Sequence, residues 1–271
     1  LKRIKTKKRD YDMKVVILCG GQGTRLREET EIKPKPMVEI GGMPILWHIM
    51  KTYSCYGFKE FILCLGYKGN VIKEYFYNYE MISNDFTIEL GTNDIKIHPR
   101  HSEHGWKITL VDTGLNAMTG ARLKRIERFI NEDRFMLTYG DGVTGMNMME
   151  LLSFHKKHGN IGTVTGASPP SRYGELSICK DRVISFSEKP TGTDNKINGG
   201  YFIFEKEFFK YLNDEDNCIL EKAPLEKLAL DNELKVFNHK GFWQCMDTYR
   251  DFRFLEELWD SGKAPWKVWD E

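Results

Sequence analysis

Residues 15–19 (Val-Val-Ile-Leu-Cys) are apolar without a break, and the run ends at a cluster of glycines, Gly20, Gly21 and Gly23. An unbroken apolar run of this kind is the pattern of a strand buried on both faces, as in a parallel sheet covered by helices. A second such run occupies 60–66, and a third strand is predicted at 135–139. Between them, 44–56, 68–79 and 119–130 read as helical, with Pro44 suited to a first helical turn. Short strands are predicted at 86–90, 95–98 and 107–112. The second half is more mixed, with strands at 162–167, 176–179, 183–188 and 200–204 and helices at 224–230 and 251–259. Strands alternating with helices predict an α/β fold, a Rossmann-like mixed and mostly parallel sheet flanked by helices. No internal repeat or low-complexity linker divides the chain, so residues 13–271 are expected to form a single domain.

Charge changes this picture little. Lys and Arg number 40 against 39 Asp and Glu, a net charge of +1 that implies no nucleic-acid partner. The basic residues of 1–12 (Lys2, Arg3, Lys5, Lys7, Lys8 and Arg9) read as a solvated, disordered arm ahead of Met13. That arm lacks the apolar core of a signal peptide, and no run reaches transmembrane length. A soluble, cytoplasmic protein without a membrane partner is expected. The six cysteines are scattered with no C-x-x-C pair, so they read as reduced thiols, with Cys19 and Cys64 as small buried hydrophobes.

The glycine cluster carries the chemistry. Gly20, Gly21 and Gly23 let the backbone turn sharply and bring N–H groups close to an anion. Arg25 and Lys35 then add positive charge, so the segment reads as a phosphate site. A kinase-type P-loop is excluded, because no Lys-Ser/Thr pair follows Gly23. The dinucleotide fingerprint is excluded as well, because Gly21-Gln22-Gly23 is followed by Thr24, Arg25 and Leu26. Asp141, in Gly140-Asp141-Gly142, closes the 135–139 strand, and ligands of open α/β sheets gather at the carboxyl ends of strands. Read locally, Asp141 is equally a turn aspartate and Lys35 a solvated loop lysine.

Gly20-Gly21-Gln22-Gly23-Thr24-Arg25-Leu26, followed by Lys35-Pro36-Met37, resembles the signature of the sugar-nucleotide pyrophosphorylases, a family of nucleotidyltransferases. The resemblance runs from Met13 almost to the end of the chain and implies the nucleotide-diphospho-sugar transferase fold, with a sugar-binding second half. It implies nucleotide contacts from Leu18, Gly20 to Arg25, Lys35, Thr119, Gly120, Arg122 and Gly140, and catalytic roles for Arg25, Lys35 and Asp141. Glu188-Lys189-Pro190 matches the family's sugar-phosphate motif, and Tyr173, Gly174, Asn198 and Gly199 stand where further sugar contacts are expected. Asp247 matches the family's late metal aspartate and with Asp141 would hold Mg²⁺. Ala121 stands where a second glycine is usual, and Cys19 where alanine is.

Longer stretches, among them residues 33–50, 109–114, 138–143 and 261–269, resemble the branch of the family that joins CTP to glucose 1-phosphate. The resemblance implies a homo-oligomer, a hexamer, serving bacterial dideoxyhexose and surface-polysaccharide synthesis. A uridylyl- or thymidylyltransferase on the same scaffold and a non-catalytic nucleotide-sugar sensor are the alternatives. The chemistry needs no general base, because a phosphate monoester has its second pKa near ~6 and is already a nucleophile at neutral pH. Cations and positioning carry such a reaction. His98, His101 and His104, and His155 and His158 on one helix face, read as solvated side chains rather than metal ligands. Trp259, Trp266 and Trp269 read as a tail packed on the body or on a neighbouring subunit.

Overall fold

All five positions of β1 (Val15–Cys19) are buried in the computed structural model, which describes residues 13–23, 26, 30–168, 175–179, 182–187 and 196–269. β1 pairs in parallel on both sides, with β4 (Glu60–Leu65) and β8 (Arg134–Tyr139), so its backbone groups are satisfied within the sheet. Successive side chains point to opposite faces. Val15 and Ile17 enter one core cluster, and Val16 and Leu18 the other.

The remaining strands are β2 (Glu39–Ile40), β3 (Met43–Pro44), β5 (Asp85–Glu89), β6 (Asp94–His98), β7 (Lys107–Asp112), β9 (Gly142–Thr144), β10 (Gly162–Ala167), β11 (Glu175–Cys179), β12 (Arg182–Ser187), β13 (Ile197–Glu205), β14 (Leu234–Asn238) and β15 (Trp243–Cys245). Seven strands form the central sheet in the order β14-β10-β13-β8-β1-β4-β7. All of its pairings are parallel except those of β13, which runs antiparallel to both neighbours. The sheet is therefore mixed and mostly parallel, as expected.

The helices are α1 (Ile45–Cys55), α2 (Gly69–Tyr77), α3 (Tyr79–Ser83), α4 (Thr119–Arg125), α5 (Met148–His158), α6 (Ala223–Leu230) and α7 (Tyr249–Asp260). Residues of α1, α5 and α7 cover one face of the sheet, and residues of α4 and α6 the other. Two expectations change. The 119–130 helix is interrupted: α4 gives way to a 3-10 turn at Glu127–Phe129, and Ile126 and Ile130 on either side of it both enter the core. α5 enters the sequence reading only as the helix face shared by His155 and His158, without bounds, although Asn147 caps its start and Gly159, at φ 68°, ends it.

The tail packs on the body of the same chain. Trp266 is fully buried, and its indole Nε1–H donates to His48 Nδ1 at 3.3 Å. An indole can only donate, so Nδ1 is the acceptor and His48 carries its proton on Nε2, which meets the Ile40 carbonyl at 2.9 Å. Burial pushes the His48 pKa down to about 4, against the opposing pull of the Ile40 and Met43 carbonyls. Below its ordinary pKa the unfolded chain takes up a proton that the folded chain refuses, so stability falls as pH drops from about 6.5 toward 4. Urea unfolding across that window is expected to show a loss of about 3 kcal/mol, at ~1.4 kcal/mol per pKa unit. Replacing His48 by glutamine should flatten that part of the profile.

Candidate active site

The carboxyl ends of β1 and β8 lie side by side, which brings the glycine loop against Gly140 and Asp141. The approach is close enough that a Cβ on Gly140 would sit 3.0 Å from the Leu18 carbonyl oxygen. A cavity of about 330 Å³ opens there, walled by Leu18, Gly20, Gly21, Gly23, Lys35, Thr119, Arg122, Gly140 and Asp141. These are predicted site residues, drawn together from four separate stretches of chain. Gln22 is exposed and lies outside the wall. Gly120 turns away, donating its N–H to the Cys218 carbonyl at 3.0 Å. Thr24, Arg25, Tyr173, Gly174, Glu188 and Lys189 lie outside the described residues.

Arg122 is the girder of this wall. Its guanidinium donates to the carbonyls of Gly20, Leu65, Gly114 and Leu115 and to the Thr113 hydroxyl, tying the glycine loop to the ends of β4 and β7. A Cβ on Gly20 would lie 2.2 Å from that guanidinium. Gly20→Ala must therefore displace either the loop or its tie. As overpacking, it is expected to cost roughly 1–3 kcal/mol of stability. Denaturant unfolding of the variant beside the wild type would check this.

A second cavity of about 300 Å³ adjoins the first and shares Tyr139 and Asp141 with it. Asn198, Gly199, Trp243, Cys245 and Asp247 also line it. The Trp243 indole donates to the Gly199 carbonyl at 2.6 Å, and a Cβ on Gly199 would lie 3.0 Å from the Thr165 carbonyl oxygen. Asn198 accepts from the Gly200 N–H at 2.8 Å and donates to the Tyr139 hydroxyl at 3.4 Å.

Asp247 reaches this place through two three-residue strands. β15 pairs antiparallel with β9, Cys245 opposite Gly142, and the Met246 N–H donates to the Asp141 carbonyl at 2.8 Å. Thr248 then caps α7 in a reciprocal arrangement with Asp251, which leaves the preceding Asp247 side chain directed at Lys35. Lys35 Nζ donates to Asp141 Oδ2 and to Asp247 Oδ1, each at 2.7 Å. Burial alone would push the lysine pKa down, but the Asp141 charge and the hydrogen bonds to both carboxylates hold it above the ordinary lysine range.

The two carboxylates and the Cys245 thiol place one donor atom each within 4.8 Å of one another. A pair of carboxylates with room for phosphate and water is a donor set suited to a hard divalent cation. Burial and the neighbouring Asp141 push the Cys245 thiol pKa up, so it stays protonated.

Three residues escaped the sequence reading. The Tyr139 hydroxyl and the Thr119 hydroxyl both donate to Glu221, the latter at 2.7 Å, fixing the wall where the two cavities meet. Tyr139 stands next to Gly140-Asp141, a local signal that was available; Glu221 and Trp243 had none. Cys19 and Cys64 are buried, as expected. His155 corrects an expectation: it is buried and bonded to Thr163 and Glu205 rather than solvated, because those partners arrive from β10 and β13.

The sequence matches the nucleotidyl transferase family over residues 14–252. The chain belongs to that family. Among the nucleotidyl transferases it is 52% identical over 259 residues to the glucose-1-phosphate cytidylyltransferase of Salmonella typhimurium, covering 95% of this chain and all of that protein. It is 44% identical to the probable glucose-1-phosphate cytidylyltransferase of Bacillus subtilis, again over 95% of this chain and all of the other. Solved structures share the fold at lower identity. Apo UDP-glucose pyrophosphorylase superposes with a TM-score of 0.68 at 17% identity over 93% of this chain and 99% of its own. HddC of Yersinia pseudotuberculosis gives 0.65 at 23% over 91% and 99%.

Proposed function

We propose that this protein transfers a cytidylyl group from CTP to α-D-glucose 1-phosphate, giving CDP-glucose and pyrophosphate. The observation that carries the reading is Asp141, held by Lys35, where a glycine-loop cavity meets a second, smaller cavity. Two adjoining cavities with charged groups between them suit a reaction that joins two bound anions. The 52% identity to a protein of that name supports the choice of CTP and glucose.

In this reading the glycine loop, with Thr24 and Arg25, cradles the triphosphate, while Leu18, Thr119, Arg122 and Gly140 surround the nucleoside. Asn198 and Gly199 contact the sugar, with Tyr173, Gly174, Glu188 and Lys189 as further contacts to sugar and phosphate. A phosphate oxygen of glucose 1-phosphate forms the new bond to the α-phosphorus as the bond to the β-phosphate oxygen breaks, and pyrophosphate leaves with that electron pair. No side chain need take a proton, because the attacking oxygen is already ionised. Lys35 and Arg25 offset the charge of the phosphates and the departing pyrophosphate, and the preset cavities hold the reactants in line. Asp141 and Asp247 would hold Mg²⁺, which when bound neutralises phosphate charge as a Lewis acid.

The reading extends to a cytoplasmic homo-hexamer that supplies dideoxyhexose and surface-polysaccharide synthesis. No described helix is long and apolar enough to cross a membrane. Phe86, Ile88 and Ile95 stand exposed on the β5–β6 hairpin, an apolar patch that supports self-association.

Pyrophosphate release should be measured with glucose 1-phosphate and Mg²⁺, offering CTP, UTP, dTTP, GTP and ATP in parallel. Strong preference for CTP is expected. Preference for another nucleotide would overturn the base assignment, and silence with all five from folded protein would favour a sensor.

A further inference from the structure

Two carboxylates within reach of one cation repel each other when that cation is absent, and a partly buried pair cannot rely on water to screen the repulsion. In this protein the pair is not left alone. The Lys35 ammonium sits 2.7 Å from an oxygen of each, with its side chain only 10% exposed. Asp141 and Asp247 are also the carboxylates of the candidate metal cluster, so the lysine draws on the groups a divalent ion would need. An ammonium resting against this small pair competes with a divalent ion for it, because the like charges would then face each other at close range. Lysine is suited to yielding, being a compact charge on a flexible four-carbon stem. It has somewhere to go, because Lys35 also lines the glycine-loop cavity.

We infer that Lys35 is a resident cation that keeps the Asp141–Asp247 pair closed to divalent ions until nucleotide phosphates draw its ammonium away. The inference rests on the reading of Asp141 and Asp247 as the metal-binding pair. Metal and nucleotide then load together: phosphate in the glycine loop takes up the lysine charge and releases the carboxylates, and the coupling is reciprocal. The free protein has little affinity for the ion alone, although both carboxylates are already in place.

The test uses Mn²⁺, whose binding is read directly from its paramagnetic resonance signal, with no nucleotide present. Lys35→Met is expected to bind Mn²⁺ at least ten times more tightly than the wild type, and Mn²⁺ should raise its Tm more than that of the wild type. Lys35→Gln, which retains a neutral donor for the carboxylates, guards against a Met variant that folds poorly and should show the same direction of change. Equal or weaker Mn²⁺ binding by the folded variants would overturn the inference. A third protein, Lys35→Met with Asp247→Asn, separates the two levels of the argument. If it loses the gained affinity, the carboxylate pair is the metal site. If it keeps that affinity, the ion binds elsewhere and the reading beneath the inference fails instead.

Discussion

Replacing Asp141 by asparagine is expected to leave the fold intact and to lower kcat by roughly 10³-fold. The carboxylate bridges the two cavities and is one of the two groups that hold Lys35. In the proposed reaction it is also a ligand of the ion that offsets phosphate charge. Losing about 4 kcal/mol of transition-state stabilisation, at ~1.4 kcal/mol per decade, gives that factor. The fold should survive, because the backbone bond from Met246 N–H to the Asp141 carbonyl does not involve the side chain, and Lys35 retains Asp247. Turnover and circular dichroism on the same preparation would check both parts. Near-normal turnover would remove Asp141 from the metal site.

Truncating Trp266 to alanine should cost stability rather than chemistry, about 3–5 kcal/mol. Its ring has no exposed surface and stacks on Phe242 at 5.6 Å between centroids and on Trp259 at 6.3 Å. Removing it opens a large hole between α1 and the C-terminal tail, and His48 Nδ1 loses the donor that fixes its tautomer. Trp266→Phe keeps an aromatic ring in the site while losing the N–H and part of the indole's volume, so it should fall between the other two. Denaturant unfolding of the three proteins at neutral pH should order them wild type, phenylalanine, alanine. Coincident midpoints would show that the tail does not contribute to the cooperative core.

The parts of the site that were legible in the sequence are those whose signals are local. The apolar run of β1, the glycines behind it and Asp141 at the end of β8 each follow from a few adjacent residues, and the fold places them together. The partnership of Asp141 with Asp247 was reached only by resemblance. It depends on β9 and β15, three residues each, which are strands only because they pair with one another. Glu221 binds Tyr139 and Thr119 from a stretch with no pattern of its own, and nothing near it in sequence suggests the contact. His155 shows the same limit: its helix face was readable, but its burial depends on partners from distant strands. Capping signals fared differently, since Asn147 and Gly159 bracket α5 in plain view and went unread.

β13 is the one reversed strand of the central sheet, and its register has a practical consequence. Ala167 at the end of β10 lies directly opposite Ile197 at the start of β13, so the chain leaves the sheet and returns to it at a single point. A segment attached this way can be exchanged or lengthened without shifting the register of any other sheet strand, and closing a longer loop adds only about 0.6 kcal/mol per doubling. Asn198 and Gly199 sit just beyond the attachment, beside the smaller cavity. The architecture thus lets the chain joined between Ala167 and Ile197 change while the strands that carry the glycine loop keep their register.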